Sequence, residues 1–521
     1  MKNQLNSITQ KGITVGWSVF AGLILFILIC FSQSVSYNGK KVFALPYWAL
    51  LLIGIAAVSV GIALYCRWQG AVDRFTAGLP RYTILILTGA LFLVQLVVFY
   101  NIFFETGWDS GYVVSIARRI GAGESGFATD YFGRYPNNIF LVWFYGVIFR
   151  VLSWLGLGAW DALAIMVLQS ALACLCGYLL FQIMKDITKP TVAWVAWLVY
   201  VVHVGLHPWL MILYTDPLAL CFPMIVLRLY QLTVNGKRVW VKWCGIAFFS
   251  YFGYKVKPQV IIVLIAIGLI EIVCFLSNVN RETVRTFAKK VCVCGGSGIA
   301  ALLLFTQIVL PTMPFTYRTE AEFTLYHYFM MGLNTQYQGG YAPDDVNFSN
   351  SYYTVESRSD ANKRVIRERL REMGVPGVTK QYARKVLINF GDGSYAWSGE
   401  GTFYNTTFED RNHTLSPFLK DIYYRDGQYH TYFLHLQQLI WLILLMGSVG
   451  VGLYFTKRKN SAPVLAVPLA LIGVTMFVTL FEARARYLFA FSPFFIIAGI
   501  LGWMGIAQTV RRLIALRCRS L

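Results

Sequence analysis

Two short polar segments between long apolar runs carry residues that could do chemistry. The first, residues 105–112, reads Glu-Thr-Gly-Trp-Asp-Ser-Gly-Tyr and contains Asp109. The second, residues 130–138, contains four candidate substrate-binding residues, Arg134, Tyr135, Asn137 and Asn138. A carboxylate beside arginine, tyrosine and amide groups at the edge of a membrane could act as a general base next to a bound polar substrate. We therefore take Asp109 as the first candidate catalytic residue.

Three further polar turns lie between apolar runs. Asp216, in Tyr-Thr-Asp-Pro, is a second candidate catalytic carboxylate. Four cations in the other two turns are candidate ligands of a donor phosphate, because lysine and the arginine fork both bind phosphate oxygens: Lys255, Lys257, Arg484 and Arg486. Glu482 and Tyr487 in the last turn are candidate substrate-binding residues. Structural alternatives remain open, because Asp109 and Asp216 could cap helices and Glu482 could simply pair with an arginine.

The elements that position these residues follow from the composition. Of 521 residues 57% are hydrophobic and 13% are charged, whereas a soluble domain carries about 25% charged residues. The chain is therefore predicted to be an all-α polytopic membrane protein, and its net charge of +20 is attributed to basic membrane loops, without a nucleic-acid partner. Apolar runs long enough to cross a bilayer predict about twelve transmembrane helices, at 13–33, 45–66, 82–104, 161–184, 191–212, 217–234, 240–254, 259–277, 291–311, 432–455, 463–480 and 487–509.

The run 139–157 is a thirteenth apolar stretch, and charge placement decides how it is interpreted. If it does not cross, most lysines and arginines of the short loops fall on one side, which the positive-inside rule makes cytoplasmic. We therefore predict that it is an extracellular, membrane-lying helix in the first large loop, 105–160. Both termini are then cytoplasmic, and all the candidate site residues are extracellular.

The domain organisation follows from these spans. Residues 1–80 add two N-terminal transmembrane helices, 81–311 form a membrane core, 312–431 form a mixed extracellular loop domain, and 432–521 contain the C-terminal helices. Within the loop domain, charge alternation over 359–373 predicts an amphipathic helix ended by Gly374, and a second helix covers 380–389. The ten cysteines lack partners at zinc-site spacing and are read as packing residues.

The order of these features resembles the GT-C superfamily of integral-membrane glycosyltransferases. A span precedes an outer loop with an early acid, Asp109, and a membrane-lying helix; a later outward span ends at Asp216, and a Glu-x-Arg-x-Arg-Tyr turn closes the pattern. More narrowly, residues 131–138 (Tyr-Phe-Gly-Arg-Tyr-Pro-Asn-Asn), 214–217 and 329–334 look like the Gram-positive branch that decorates cell-wall polysaccharides or teichoic acids. The resemblance covers roughly 80–510, although Asp109 stands alone where the mannosyltransferases have an Asp-Glu pair.

The resemblance implies an inverting transfer of a sugar from undecaprenyl monophosphate to a hydroxyl of a cell-surface glycopolymer, with Asp109 as general base. The implied partners are this lipid donor, the polymer acceptor and the lipid bilayer of a bacterial cytoplasmic membrane. No cofactor is required, and a divalent metal near Asp216 is an option. Two alternatives remain: a transporter or flippase of lipid-linked sugars, and a polysaccharide polymerase or ligase that uses a diphosphate-linked donor.

Overall fold

The computed structural model describes residues 7–32, 45–234, 237–455 and 462–517. Long apolar runs form helices because every backbone N–H and C=O is then paired within its own segment, where a bilayer supplies no water. The helices are α1 (Ser7–Phe31), α2 (Tyr47–Gly78), α3 (Thr83–Ile102), α4 (Asp109–Ala122), α5 (Tyr131–Arg134), α6 (Ile139–Trp154), α7 (Asp161–Ile187), α8 (Pro190–Tyr200), α9 (Thr215–Ala219), α10 (Cys221–Thr233), α11 (Val239–Val256), α12 (Ile261–Leu276), α13 (Arg281–Leu304), α14 (Leu325–Gly332), α15 (Pro343–Asn350), α16 (Val355–Phe390), α17 (Leu415–Tyr423), α18 (His430–Val449), α19 (Val451–Phe455), α20 (Ala462–Leu480) and α21 (Ser492–Arg517).

Ten helical segments among the described residues are long and apolar enough to cross a membrane. Nine of them correspond to predicted spans, and the tenth is Pro136–Trp154. The predicted spans 191–212, 217–234 and 240–254 form α8, the broken pair α9–α10, and α11, none of which is among the ten. The prediction of an all-α polytopic membrane protein is thus confirmed, while the count of twelve spans stays a prediction. Some of the lysines and arginines on which the charge placement depends lie outside the described residues: Lys2, Lys40, Lys41, Lys457, Arg458, Lys459 and Arg519.

The two ends of the segment that contains the apolar helix α6 lie close together. Arg118, on α4, binds Glu105 just beyond the end of α3 (2.7 Å) and Asp161 at the start of α7 (2.6 Å). The end of α3 and the start of α7 therefore lie at one level, and the two helices run antiparallel, with Cys174 Sγ 3.3 Å from Gln95 Oε1. The two ends of residues 103–160 consequently lie on a single face, which we call the site face.

Helices α4 and α6 pack closely because glycines lie where they meet. A Cβ atom on Gly146 would lie 2.7 Å from Ile120 Cγ2, and one on Gly121 would lie 2.7 Å from Phe149 Cβ. Both distances are too short for a real side chain, so each glycine allows the neighbouring helix to approach. This packing sets the direction of α4, whose first residue is Asp109.

We expect Gly146→Val to lower the free energy of unfolding by about 1–3 kcal/mol, because the added methyl groups overpack the contact with Ile120. Thermal unfolding in detergent would measure the effect. Gly89→Ala in α3 is the matched control, because its new Cβ would meet nothing within 4 Å. A glycine-to-alanine change in an open helical position leaves stability equal or slightly higher. Equal melting temperatures for Gly146→Val and wild type would contradict the packing argument.

The loop domain is tied to the segments on both sides of α4 by two short sheets. Strand β1 (Phe104–Thr106) pairs antiparallel with β4 (Tyr404–Thr407), and β2 (Phe127–Ala128) pairs parallel with β3 (Phe315–Thr316). The long helix α16 leaves helical geometry at Gly374, where the sequence analysis predicts a helix end, and then continues to Phe390. These connections fix the loop domain over the site face.

Candidate active site

Four chain segments meet on the site face. They are the start of α4 at Asp109, the start of α9 at Asp216, the turn after α11 at Lys257, and the turn between α20 and α21 that holds Arg486. Each lies at the end of an apolar helix, which is why polar residues far apart in sequence reach the same level. Their contacts with one another define the candidate site.

Asp216 is the centre of a buried ion-pair group. Its side chain is 0% exposed; Lys257 Nζ contacts one carboxylate oxygen and Arg486 Nη1 lies 3.1 Å from the other. Burial lowers the pKa of Lys257, an effect that the negative charge of Asp216 opposes. Asp216 precedes a proline in α9, but its carboxylate is committed to these two cations, so the capping alternative does not describe its contacts. With both oxygens engaged, Asp216 organises the site's cations.

Glu400 belongs to this group, and sequence reasoning missed it. Its Oε2 lies 3.0 Å from Arg484 Nη1 and 3.0 Å from Arg486 Nε. The residue comes from the turn Trp397–Gly401, about 80 residues before the arginines. The available signal was an acid between two glycines, Gly399 and Gly401, in an aromatic tract with few charges.

Glu482 completes the group. It accepts from Arg484 Nε at 2.8 Å and from the Tyr487 hydroxyl at 2.9 Å, so the structural pair that the sequence left open is present. Burial alone would raise the pKa of Glu482, but the charge of Arg484 and the Tyr487 hydroxyl hold it below its ordinary value. Lys257, Arg484 and Arg486 are thus balanced by Asp216, Glu400 and Glu482, and the formal charges of these six side chains sum to zero.

Asp109 is different, because no ion pair of its carboxylate is present in the part of the chain that the structure describes. It is half-buried at the first residue of α4, where Trp108 is the N-cap, and it accepts a hydrogen bond from the Tyr214 hydroxyl at 3.4 Å. The Trp108 and Tyr214 rings meet edge to face at 4.8 Å, and the guanidinium of Arg486 lies 4.7 Å from the Trp108 ring. One aromatic pair therefore separates Asp109 from the Asp216 group.

The segment 134–138 borders Asp109. Asn138 donates to the Tyr131 hydroxyl at 2.8 Å and to the Tyr214 hydroxyl at 3.3 Å, and it accepts from Asn137 at 3.3 Å. The Tyr135 ring packs at a tilt against Tyr131, with ring centroids 5.1 Å apart, and burial together with the negative charge of Asp109 raises the pKa of Tyr135. These side chains form a polar, aromatic wall beside the Asp109 carboxylate.

Two of the predicted cations lie apart from the Asp216 group. Arg134 is half-buried, its Nε is buried without a hydrogen-bond partner, and it forms no ion pair within the described ranges. Lys255, two residues from Lys257, points instead at the Phe305 ring, with Nζ 4.2 Å from the centroid. Burial lowers the pKa of Lys255. The structure therefore brings Lys257, Arg484 and Arg486 together, and within the described part of the chain neither Arg134 nor Lys255 forms an ion pair.

Within residues 7–32, 45–234, 237–455 and 462–517, no three His, Cys, Asp or Glu side chains gather in a metal-binding arrangement.

Comparison with known proteins identifies the family of the chain. Neither a curated protein nor a solved structure matches the chain. Residues 5–506 do match a family described as conserved hypothetical integral membrane protein. Because the match covers nearly the whole length, and it includes all or most of each helix that could cross a membrane, the chain belongs to this family of integral membrane proteins.

Proposed function

We propose that this protein is a glycosyltransferase that moves a sugar from a polyprenyl monophosphate to an acceptor hydroxyl, as in the GT-C superfamily. The observation that carries the proposal is the contrast between the half-buried Asp109 and the buried ion-pair group of Asp216 on the same face. Among the residues that the structure describes, none forms an ion pair with Asp109, whereas Asp216, Glu400 and Glu482 are each bound by lysine or arginine. A free carboxylate beside an organised polar wall is what a general base requires.

In the proposed reaction, Asp109 takes the proton of the acceptor hydroxyl as that oxygen bonds to the anomeric carbon of the donor sugar. The bond from the anomeric carbon to the phosphate oxygen breaks on the opposite side, so the configuration inverts. The leaving polyprenyl monophosphate keeps the electron pair. Tyr214 and Asn138, which are hydrogen-bonded to each other beside Asp109, are suited to orient the base and the acceptor.

The contacts favour a different set of phosphate ligands from the four expected at first. Lys257, Arg484 and Arg486 are already matched by carboxylates, so they present little net charge to an incoming anion. Arg134 is half-buried without an ion pair in the described part of the chain, and a phosphate would satisfy its guanidinium in a charge-assisted way. We therefore assign the donor phosphate first to Arg134, with Lys255 as a second cation.

The orientation is part of the same proposal. Many basic residues lie in or near the halves of helices that point away from the site: Arg67, Arg74, Arg81, Lys185, Lys189, Arg281, Arg285 and Lys289. The positive-inside rule makes that face cytoplasmic. The candidate site would then be extracellular, where undecaprenyl-linked sugars meet wall polymers in a bacterium.

The test is a transfer assay with the purified protein in nanodiscs, supplied with labelled undecaprenyl-monophosphate sugars and wall polymer as acceptor. Transfer from the monophosphate donor supports the proposal. A strict need for a diphosphate donor would instead indicate the polymerase or ligase. Movement of the lipid-linked sugar across liposome membranes, with no bond made to the acceptor, would indicate the flippase. Either result would overturn the proposal.

We expect Arg134→Met to raise the KM for the monophosphate donor at least tenfold, because a cation–phosphate contact is lost from a partly desolvated site. Donor titration of the initial rate would measure the effect. Arg119→Met is the matched control, because Arg119 is a half-buried arginine of the same loop that is already paired with Glu124 at 2.6 Å. An unchanged donor KM in the folded Arg134 variant would remove Arg134 from the phosphate site.

A further inference from the structure

One face of α16 is fastened to the main chain around the candidate site. Gln381, Lys385 and Asn389 are four residues apart, so they share a helix face, and each is at most 1% exposed. Gln381 donates to the carbonyls of Gly332 (3.3 Å) and Asn334 (3.2 Å), and Asn389 donates to that of Val478 (2.8 Å). Lys385 donates to the carbonyl of Phe481, the residue before Glu482. The loop domain is therefore joined to the end of α20 by side chains that bind backbone oxygens.

Lys385 reaches Phe481 by passing between two glycines. A Cβ on Gly332 would lie 2.7 Å from Lys385 Nζ, and one on Gly339 would lie 2.9 Å from its Cδ. Gly339 also has a φ of 80°, a conformation that side chains rarely allow. Its carbonyl accepts from the backbone N–H of Ala483 at 2.7 Å. The turn that carries the ion-pair group is thus held on both sides of Glu482.

A buried lysine is energetically unfavourable as a purely structural contact at this position. Burying an ammonium group costs much more than burying an amide, and the flanking positions 381 and 389 make the same kind of contact with neutral amides. Position 385 differs from positions 381 and 389 because the negative charge of Glu482 acts on it and raises the affinity of the Lys385 amine for a proton. The charge of Lys385 therefore bears on the turn.

We propose that Lys385 is a positioning residue that holds the 481–487 turn in place through the Phe481 carbonyl, a contact that we call the latch. The turn carries Glu482, Arg484 and Arg486, and protonation of the Lys385 amine makes the latch easier to open. The amine donates to the backbone and has no contact with the proposed reacting atoms. An effect of the latch on the rate of sugar transfer would rest on the proposed function, whereas the contact between Lys385 and the turn does not.

The direction of the pH effect follows from the burial of the amine. Burial lowers the pKa of Lys385 from 10.5 to about 7, against the opposing charge of Glu482. When the turn opens and the amine meets water, its pKa returns toward 10.5. The open state then binds more protons between pH 7 and pH 10.5, so the latch becomes harder to open as pH rises through that range. Below about pH 7 both states are protonated and the dependence ends.

The groups around Lys385 allow this effect to be isolated. The titratable or charged groups on the elements packed against it are Tyr326, His327 and Tyr328 on α14, Tyr337 and Tyr341 on the following loop, Glu482, Arg484, Arg486 and Tyr487 on the turn, and Lys380, Tyr382 and Arg384 on neighbouring turns of α16. Burial lowers the pKa of His327 to about 4, so it stays neutral above pH 7. Lys385→Met keeps all of them and removes only the buried amine. A dependence that is present in wild type and lost in this variant therefore belongs to Lys385.

The test is hydrogen–deuterium exchange of peptides covering 480–488, corrected for the intrinsic rate, between pH 7 and 9. In wild type we expect the protection factor to rise toward tenfold per pH unit, the slope that one proton gives. It should be flat in Lys385→Met and in Lys385→Gln, and unaltered in Lys380→Met, which changes an exposed lysine of the same helix. A pH-independent protection factor in wild type, or an unchanged slope in either folded Lys385 variant, would overturn the latch. Absence of sugar transfer by wild type would instead count against the proposed function and leave the exchange result standing.

Discussion

Replacing Asp109 with asparagine is expected to lower kcat for sugar transfer by roughly 10²–10⁴-fold while the protein stays folded, the range that a positioned general base contributes. The amide is nearly isosteric and can still accept from the Tyr214 hydroxyl, but it cannot take the acceptor proton. Because Asp109 forms no ion pair within the described residues, its removal strands no buried cation. The measurement is single-turnover transfer from labelled undecaprenyl-monophosphate sugar, with thermal unfolding as the check on folding.

The control for this change is Asp130→Asn. Asp130 lies in the same loop, is 62% exposed and pairs with Arg318 at 3.2 Å. It shares the chemistry of Asp109 but not its surroundings, so its amide variant should retain wild-type kcat. Near-normal transfer by folded Asp109→Asn would remove the general base from the mechanism. Equal losses in both variants would point to a nonspecific effect of charge in the loop.

Replacing Asp216 with asparagine should instead act on stability. The change leaves Lys257 and Arg486 buried with one carboxylate fewer, and removing one partner of a buried ion pair typically costs roughly 3–5 kcal/mol. We therefore expect a clear fall in the melting temperature in nanodiscs. Adding Lys257→Met to Asp216→Asn should recover part of the loss, because one uncompensated cation is removed while Arg486 keeps Glu400.

An exposed ion pair provides the contrast for this second prediction. Asp360 is 74% exposed and pairs with Lys363 at 3.1 Å on the surface of α16. Pairs of this kind contribute little, so Asp360→Asn should leave the melting temperature unchanged. If Asp216→Asn melted with wild type, the buried group would not hold the turns together. If it kept its stability but lost all transfer, Asp216 would have a direct role in the reaction.

The helices and the common face of the site could be predicted from the sequence, because apolar runs and the sign of loop charges are local signals. Asp109, Asp216, Lys257 and Arg486 each lie at the end of an apolar run, and alternation of the spans assigns them to one side. The sign of the loop charges also predicts that α6 does not cross the membrane, although its length and composition alone would suggest a crossing, and this assignment stays a prediction.

The pairing of side chains could not be predicted, because it depends on directions within a helix turn and on contacts between distant segments. Lys255 and Lys257 are two residues apart, and near the end of a helix this spacing sends one to Phe305 and the other to Asp216. Glu400 reaches the arginines from a glycine-flanked turn in a different part of the chain. Only the folded loop domain reveals that the cations are neutralised before any substrate arrives.

The bridge from Arg118 to Glu105 and Asp161 has a practical consequence for mapping the protein in cells. These ion pairs bring the two ends of residues 103–160 together, so the stretch begins and ends on the same face of the membrane core. Its removal would therefore not change the direction in which any later helix runs through the membrane. Alkaline phosphatase fused after Gly107 and after Gly156 should therefore show the same phosphatase activity, which reports the side of the membrane that the fused enzyme reaches, despite the sixteen-residue apolar helix between them. A fusion after Thr188, beyond the next helix, should give the opposite result.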